Sequence, residues 1–164
     1  MRIQTMRLGQ LEALEVPDEA VIRFPAGVPG FEEHTEYALI EDPEYHPFCW
    51  LQALHEPVVR FLLIDPWLAK PDYEIELNDQ DLAQLGLGAD ERPLVLCILS
   101  VRDDDVATAT ANLRAPVVIN RQGRLGAQVI LADERYPLRQ PVFRGGSTLT
   151  GASSGAERPE GAPC

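Results

Sequence analysis

Turn-forming residues cut this chain into short apolar pieces. Fourteen prolines and twelve glycines are spread over 164 residues, and the apolar runs between them are mostly four to eight residues long. Proline fixes φ and removes a backbone donor, and glycine reaches positive φ freely, so both end regular elements. Runs of that length, with turn signals about every ten residues, suit strands and exclude a bundle of ordinary helices. The expected fold is mostly β: a small antiparallel β-barrel-like domain with one or two short helices.

The individual runs follow from this reading. Ile3 to Leu8 and Leu11 to Val16 flank Gly9–Gln10, a hairpin with a two-residue turn. Val21 to Phe24, Tyr37 to Glu41, Phe48 to Leu54 and Val58 to Asp65 are the next strands. Tyr73 to Leu77 alternates apolar and acidic residues, so one face is dry and one wet. Asn78 to Leu85 is the clear helix, with Asn78 as cap, Asp79 and Asp81 in the first turn and Gly86 at the end. Leu94 to Val101 has seven apolar residues in eight and reads as a strand buried on both faces. Thr108 to Leu113, Pro116 to Asn120 and Leu125 to Leu131 complete the set. Asn120 to Arg124 joins the last two as a hairpin loop, with Gly123 expected at the left-handed position. Trp50 and Phe61 are expected in the core. Trp67 follows a proline and is expected partly exposed on a loop.

From Arg144 onward the composition changes. Fifteen of the 21 residues from 144 to 164 are Gly, Ala, Ser, Thr or Pro. Such a segment cannot offset its ordering entropy by burial, so 144–164 is expected to be a disordered tail and 1–143 a single folded domain.

Charge narrows the function. The net charge is −12, and residues 12 to 105 alone carry 22 acids against five basic residues. Phosphate contacts need a basic surface, so direct nucleic-acid binding is not expected. No segment reaches the roughly 20 apolar residues of a membrane helix, and Met1 to Gln10 lacks the apolar stretch of a signal peptide. Cys49, Cys97 and Cys164 form no CxxC, which points to a reducing, cytoplasmic setting.

Catalytic and metal chemistry find no constellation. His55-Glu56 runs into Pro57, which breaks the helix that a HExxH site needs. His46 and Cys49 are three apart, but no second pair completes four ligands. His34, His46 and His55 read as surface-loop residues. Gly86-Leu87-Gly88 follows a helix rather than a strand and fails as a dinucleotide loop. Asp103–Asp105 reads as a solvated turn, and Cys49 and Cys97 as packed small hydrophobes. No catalytic residue, cofactor or metal is expected.

Several segments carry a resemblance. Phe24–Phe31 (FPAGVPGF), Pro47–Gln52 (PFCWLQ), Leu63–Pro66 (LIDP) with Pro71–Glu74 (PDYE), and Thr110–Asn120 (TANLRAPVVIN) occur in that order. Gln128–Leu131 and Tyr136–Pro141 close the series. Together they resemble the flagellar assembly factor FliW family. The resemblance implies a small cytosolic, non-enzymatic protein that binds newly made flagellin and the dimeric RNA-binding repressor CsrA. Flagellin would sequester it; once free, it would antagonise CsrA beside the RNA groove and relieve repression of flagellin translation. The alternative is an acidic adaptor or chaperone-like module with other partners. Arg114 departs from the family pattern, which has an aliphatic residue there.

The residues single out one interaction face. Gln52, Asp65, Trp67, Asp72, Glu74 and Glu76 gather an aromatic anchor with acid and amide groups, a pattern suited to a basic protein partner. Asn112 and Asn120 are expected to satisfy backbone groups at strand ends, and Pro25 to Gly30 to shape the barrel rim. The free protein is expected to be a monomer.

Overall fold

The computed structural model describes residues 1–144 and the pair Thr148–Leu149. The strands are β1 (Arg2–Arg7), β2 (Gln10–Glu15), β3 (Val21–Arg23), β4 (Glu36–Ile40), β5 (Phe48–Ala53) and β6 (Arg60–Ile64). After helices α1 (Pro66–Ala69) and α2 (Asp79–Leu85) come β7 (Leu94–Arg102), β8 (Asp105–Ala111), β9 (Val117–Asn120) and β10 (Leu125–Gln128). Three two-residue strands follow: β11 (Gln140–Pro141), β12 (Phe143–Arg144) and β13 (Thr148–Leu149). Apart from the β12–β13 pairing, the tail expected to be disordered lies outside the described residues.

Seven strands close a ring in the order β3-β4-β5-β6-β7-β9-β10. β7 closes it by pairing with β9 at Leu94↔Ile119, Val95↔Val118 and Leu96↔Val117. The ladders are antiparallel with one exception: β10 meets β3 in parallel at Leu125↔Arg23. The expected barrel is present, with that single parallel contact added.

Alternation along the strands gives the wall two faces. One set, Ile22, Tyr37, Leu39, Leu51, Leu63, Leu96, Val117 and Ile119, comes from six strands of the ring and fills its interior. Phe24 lies with them, fully buried and edge-on to Tyr37 at 5.1 Å between centroids. The other set, Val95, Cys97, Leu99, Val118 and Ala127, points outward into a second core. That core is roofed by Tyr73, Leu85, Leu113, Leu131 and Tyr136. Each large side chain so buried contributes roughly 1.5–3 kcal/mol. β8 and β11 extend the sheet beyond the ring on β7. The two cores cover both faces of β7 over Leu94–Leu99, as its apolar run implies, but Ser100 and Val101, expected buried, are exposed where the strand leaves the ring.

The hairpin β1–β2 is a separate two-stranded sheet. Its barrel-facing contacts are polar. Thr5 Oγ1 donates to Gln52 Oε1 at 2.8 Å, and Gln52 Nε2 donates to the Gln4 carbonyl at 2.7 Å. Arg60 donates to the Met6 carbonyl at 3.0 Å, and Arg7 pairs with Asp42 at 2.7 Å.

Local chemistry explains several departures from the sequence expectation. The first hairpin turns at Leu8–Gly9 rather than Gly9–Gln10: Leu8 has φ 51° and Gly9 φ 80°. Such a turn matches the twist of the strands, and the Tyr45 hydroxyl accepts from the Leu8 N–H at 3.0 Å. At the tip of β7–β8, Asp103 and Asp104 also have positive φ. Tyr73 to Leu77 forms no ladder; it is an extended cover strip over the second core. Trp67 sits on α1, not on a loop, because Asp65 caps a helical turn with Pro66 at its first position. In the last hairpin loop the left-handed residue is Arg124, φ 56°, while Gly123 gives room to the Asn120 amide. His34 is buried, packed edge-on against Tyr37 at 6.5 Å, rather than on the surface. Trp50 and Phe61 are half-buried; Trp50 lies outside the ring beneath the Arg60 guanidinium at 3.9 Å.

Other local expectations match. Asn78 and Asp81 form a reciprocal capping box on α2, and Gly86 ends it at φ 66°. Asn112 Oδ1 accepts from the Ala115 N–H at 3.0 Å, and the Asn120 amide donates to the Leu85 carbonyl at 2.9 Å. Gly27, in the rim loop, has φ 71°, and a Cβ there would lie 2.6 Å from the Glu32 backbone.

Gly126 of β10 stands directly against the Phe24 ring in the barrel interior. A Cβ there would lie 2.6 Å from the Phe24 ring, which is fully buried and edge-on to Tyr37. Gly126→Ala therefore lowers stability by about 1–3 kcal/mol through overpacking. Urea unfolding checks this; an unchanged midpoint would mean that the interior has slack at Phe24.

Candidate functional site

The features that bring the site together start at the end of β6. Asp65 accepts from the Trp67 N–H at 2.9 Å and starts α1. That turn directs the chain so that the Trp67 indole N–H donates to the Tyr73 carbonyl at 2.7 Å. The Trp67 ring stands edge-on to Tyr73 at 5.6 Å, and Tyr73 edge-on to Tyr136 at 4.7 Å. Three aromatics thus form a ladder from surface to core. Trp67 is 40% exposed at the outer end, while Tyr73 and Tyr136 are buried.

Each polar end of the ladder is satisfied. The Tyr73 hydroxyl donates to the Leu113 carbonyl at 2.7 Å. The Tyr136 hydroxyl accepts from the Glu74 N–H at 2.9 Å. Burial disfavours a charged phenolate and pushes the Tyr73 hydroxyl well above its ordinary range, so it stays a donor. The ladder pins the strip carrying Asp72, Glu74 and Glu76. Tyr73 turns inward while those three acids remain exposed, which keeps the alternation of a strand without its ladder.

Charge around the ladder is mixed at close range. Asp72 pairs with Lys70 at 3.1 Å, which holds its carboxyl below the usual range. The pair is intact above the ordinary carboxylate range and is released as pH falls through that depressed value. Arg135 pairs with Asp133 at 2.6 Å and lies 5.3 Å from the Tyr136 ring centroid. Glu74 and Glu76 make no ion pair among the described residues.

Five of the six expected site residues therefore lie on one connected stretch: Asp65, Trp67, Asp72, Glu74 and Glu76. Gln52 does not join them. It is buried, 2% exposed, and locks the β1–β2 hairpin to the barrel. It sits opposite Arg60 at the far end of the β5–β6 ladder from Ile64 and Asp65. Its role here is structural.

Sequence reasoning missed Tyr136 and Arg114. Tyr136 lies 63 positions after Tyr73, and no spacing rule links them. Arg114, which departs from the family pattern, donates to the Tyr136 carbonyl at 2.7 Å and the Glu134 carbonyl at 3.3 Å. A guanidinium so placed ties the closing segment to the base of the ladder. Asp133, Glu134 and Arg135, a charged run just before Tyr136, were the available signal.

Burial pushes the thiols of Cys49 and Cys97 up to about 12, so both stay protonated near neutrality. Among the described residues no three His, Cys, Asp or Glu side chains are grouped as a metal would require. At the surface the face presents the Trp67 indole, 40% exposed, with the exposed carboxylates of Asp72, Glu74 and Glu76 on the strip that follows it.

A family model for FliW protein matches residues 2–142 of this chain. The chain belongs to the FliW family. The flagellar assembly factor FliW of Syntrophus aciditrophicus is 38% identical over 151 residues, spanning 92% of this chain and 93% of that one. That of Leptospira interrogans is 32% identical over 151 residues, spanning 92% and 99%. A crystal structure of the flagellar assembly factor FliW superposes with a TM-score of 0.75 at 36% identity, covering 88% of this chain and 98% of that one. FliW membership thus extends over the barrel, the ladder and the hairpin alike. No helix among the described residues is long and apolar enough to cross a membrane.

The ladder makes a stability prediction. Tyr73→Phe leaves the Leu113 carbonyl buried without its donor and costs about 1–3 kcal/mol. Chemical denaturation reads this directly, and wild-type stability would show that the hydroxyl bond holds nothing in place.

Proposed function

We propose that this protein is a non-enzymatic partner switch acting in the cytoplasm, and that its partners are flagellin and CsrA. Flagellin sequesters it. Freed when flagellin is exported, it binds CsrA and relieves repression of flagellin translation. The observation that carries this reading is the FliW match across residues 2–142, together with relatives named as flagellar assembly factors. The Trp67 face supports it physically. An exposed indole on the face whose following strip exposes Asp72, Glu74 and Glu76 suits a basic RNA-binding protein, where opposite charge speeds association. The same acids repel RNA from the bound complex.

Titration calorimetry of the full chain against the same organism's CsrA, with and without its flagellin, tests the switch. The expected result is binding to CsrA that flagellin abolishes. Failure to bind either protein would hand the role to an adaptor with other partners. Asp72→Lys with Glu74→Lys is expected to weaken CsrA binding at least tenfold. Both side chains are exposed, so thermal stability should stay close to wild type. Unchanged affinity would remove this face from the interface.

A further inference from the structure

The two edges of the β1–β2 hairpin are treated differently. In this hairpin the turn lies between the partners Arg7 and Gln10, so residues alternate between inward pairs and outward-facing groups. On β1 the outward carbonyls of Gln4 and Met6 are capped by Gln52 and Arg60 from the barrel. On β2 the outward groups belong to Leu11 and Ala13. Neither has a partner among the described residues, and β2 pairs with no strand except β1. An uncapped edge of this kind is a template for a further strand.

The edge also borders a cleft of about 510 Å³. Leu14 of β2 and Leu39 and Ile40 of β4 supply apolar lining. Glu12, Glu15 and Glu41 line it too, Glu12 3.8 Å from Arg7, Glu15 3.1 Å from the N-terminal amine and Glu41 2.8 Å from Arg121. Arg7 is shared with Asp42 and Glu44, so acids still outnumber bases there. The hairpin's outer face adds exposed apolar surface: Leu11 is 67% exposed, its cross-strand partner Met6 is 44%, and Leu8 in the turn is 75%.

We propose that β2 accepts an extended peptide segment of a partner protein, added as an antiparallel or parallel third strand. The segment alternates apolar side chains, which enter the cleft over Leu14 and Ile40, with lysine or arginine, which fall on the opposite face of the sheet beside Glu15 of β2. A second copy of this chain is a poor occupant. β2 carries two glutamates and no basic residue, so self-pairing brings acid to acid. This surface is separate from the Trp67 ladder, and the proposal does not depend on which protein supplies the strand.

The test uses the full chain and a fluorescein-labelled nonapeptide of alternating lysine and valine, with a glutamate-for-lysine peptide as control. Fluorescence polarisation should show the basic peptide binding at least tenfold tighter than the acidic one. Hydrogen exchange at Leu11 should slow when the basic peptide is added. Ala13→Pro removes an outward N–H that the β1 ladder does not use, and should weaken binding at least tenfold. Ala13→Gly, which keeps the N–H, should bind like wild type. Glu12→Lys with Glu15→Lys should reverse the peptide preference. Binding that survives Ala13→Pro, or that leaves Leu11 exchange unchanged, would overturn strand addition. So would loss of binding on charge reversal with no effect of Ala13→Pro, which would show an acidic surface only. A concentration-dependent dimer in sedimentation that Ala13→Pro abolishes and Ala13→Gly keeps would overturn the choice of occupant and show that the edge serves a second copy.

Discussion

One strand holds this structure together. β7 bonds to β9 through Leu94–Leu96, to β6 through Cys97 and Ile98, and to β8 from Leu99 onward. The first pairing closes the barrel. The last carries the sheet out of it. Because the strand serves both, its alternate side chains enter two cores: Leu96 the barrel interior, and Val95, Cys97 and Leu99 the outer core. A strand with polar residues on one face could close a barrel but could not also support the outer core and its aromatic ladder. The departure of β8 is eased by a register shift between Ser100 and Arg102. The Thr108 hydroxyl fills the gap, accepting from the Arg102 N–H at 2.9 Å and donating to the Asp105 carbonyl at 2.6 Å.

Much of this was legible from local chemistry. From Leu94 to Leu99 the β7 run is apolar without alternation because both of its faces are covered, and the unbroken run by itself marks such a strand; the exposure of Ser100 and Val101 beyond it was not legible there. The capping box at Asn78 and the stop at Gly86 are local devices and occur where expected. Elements that depend on distant contacts were harder to read. Tyr73 to Leu77 has the alternation of a strand, but it is held by side chains rather than a ladder: Tyr73 bonds to Leu113, the Glu74 N–H to Tyr136, and Ile75 and Leu77 pack on the second core. His34 reads as a loop residue because its burial comes from the barrel rim closing over it. Gln52 reads as a contact residue by its neighbours in sequence. Its partners, Thr5 and Gln4, are nearly fifty positions away and fix it as a structural clamp.

The same logic divides the surface. Side chains that hold the two cores are spoken for, so recognition falls to what lies outside them. The Trp67 face is rigid, because a buried aromatic ladder anchors it. The β1–β2 hairpin is attached by polar bonds over one wall, and one of its edges is left open. A two-stranded hairpin has little stability of its own, so its order depends on Gln52, Arg60 and Asp42 beneath it. In the proposed reading the Trp67 face is a preformed anchor and the β2 edge is a strand that orders further on contact.

Hydrogen exchange resolved by residue tests this division most directly. Amides of Val95, Leu96, Cys97 and Ile98 should exchange only through global unfolding, with the free energy measured by denaturant. Amides facing outward on β2, at Leu11 and Ala13, should exchange by local opening orders of magnitude faster. Comparable protection in β7 and β2 would contradict the account, because the hairpin would then belong to the core that β7 organises.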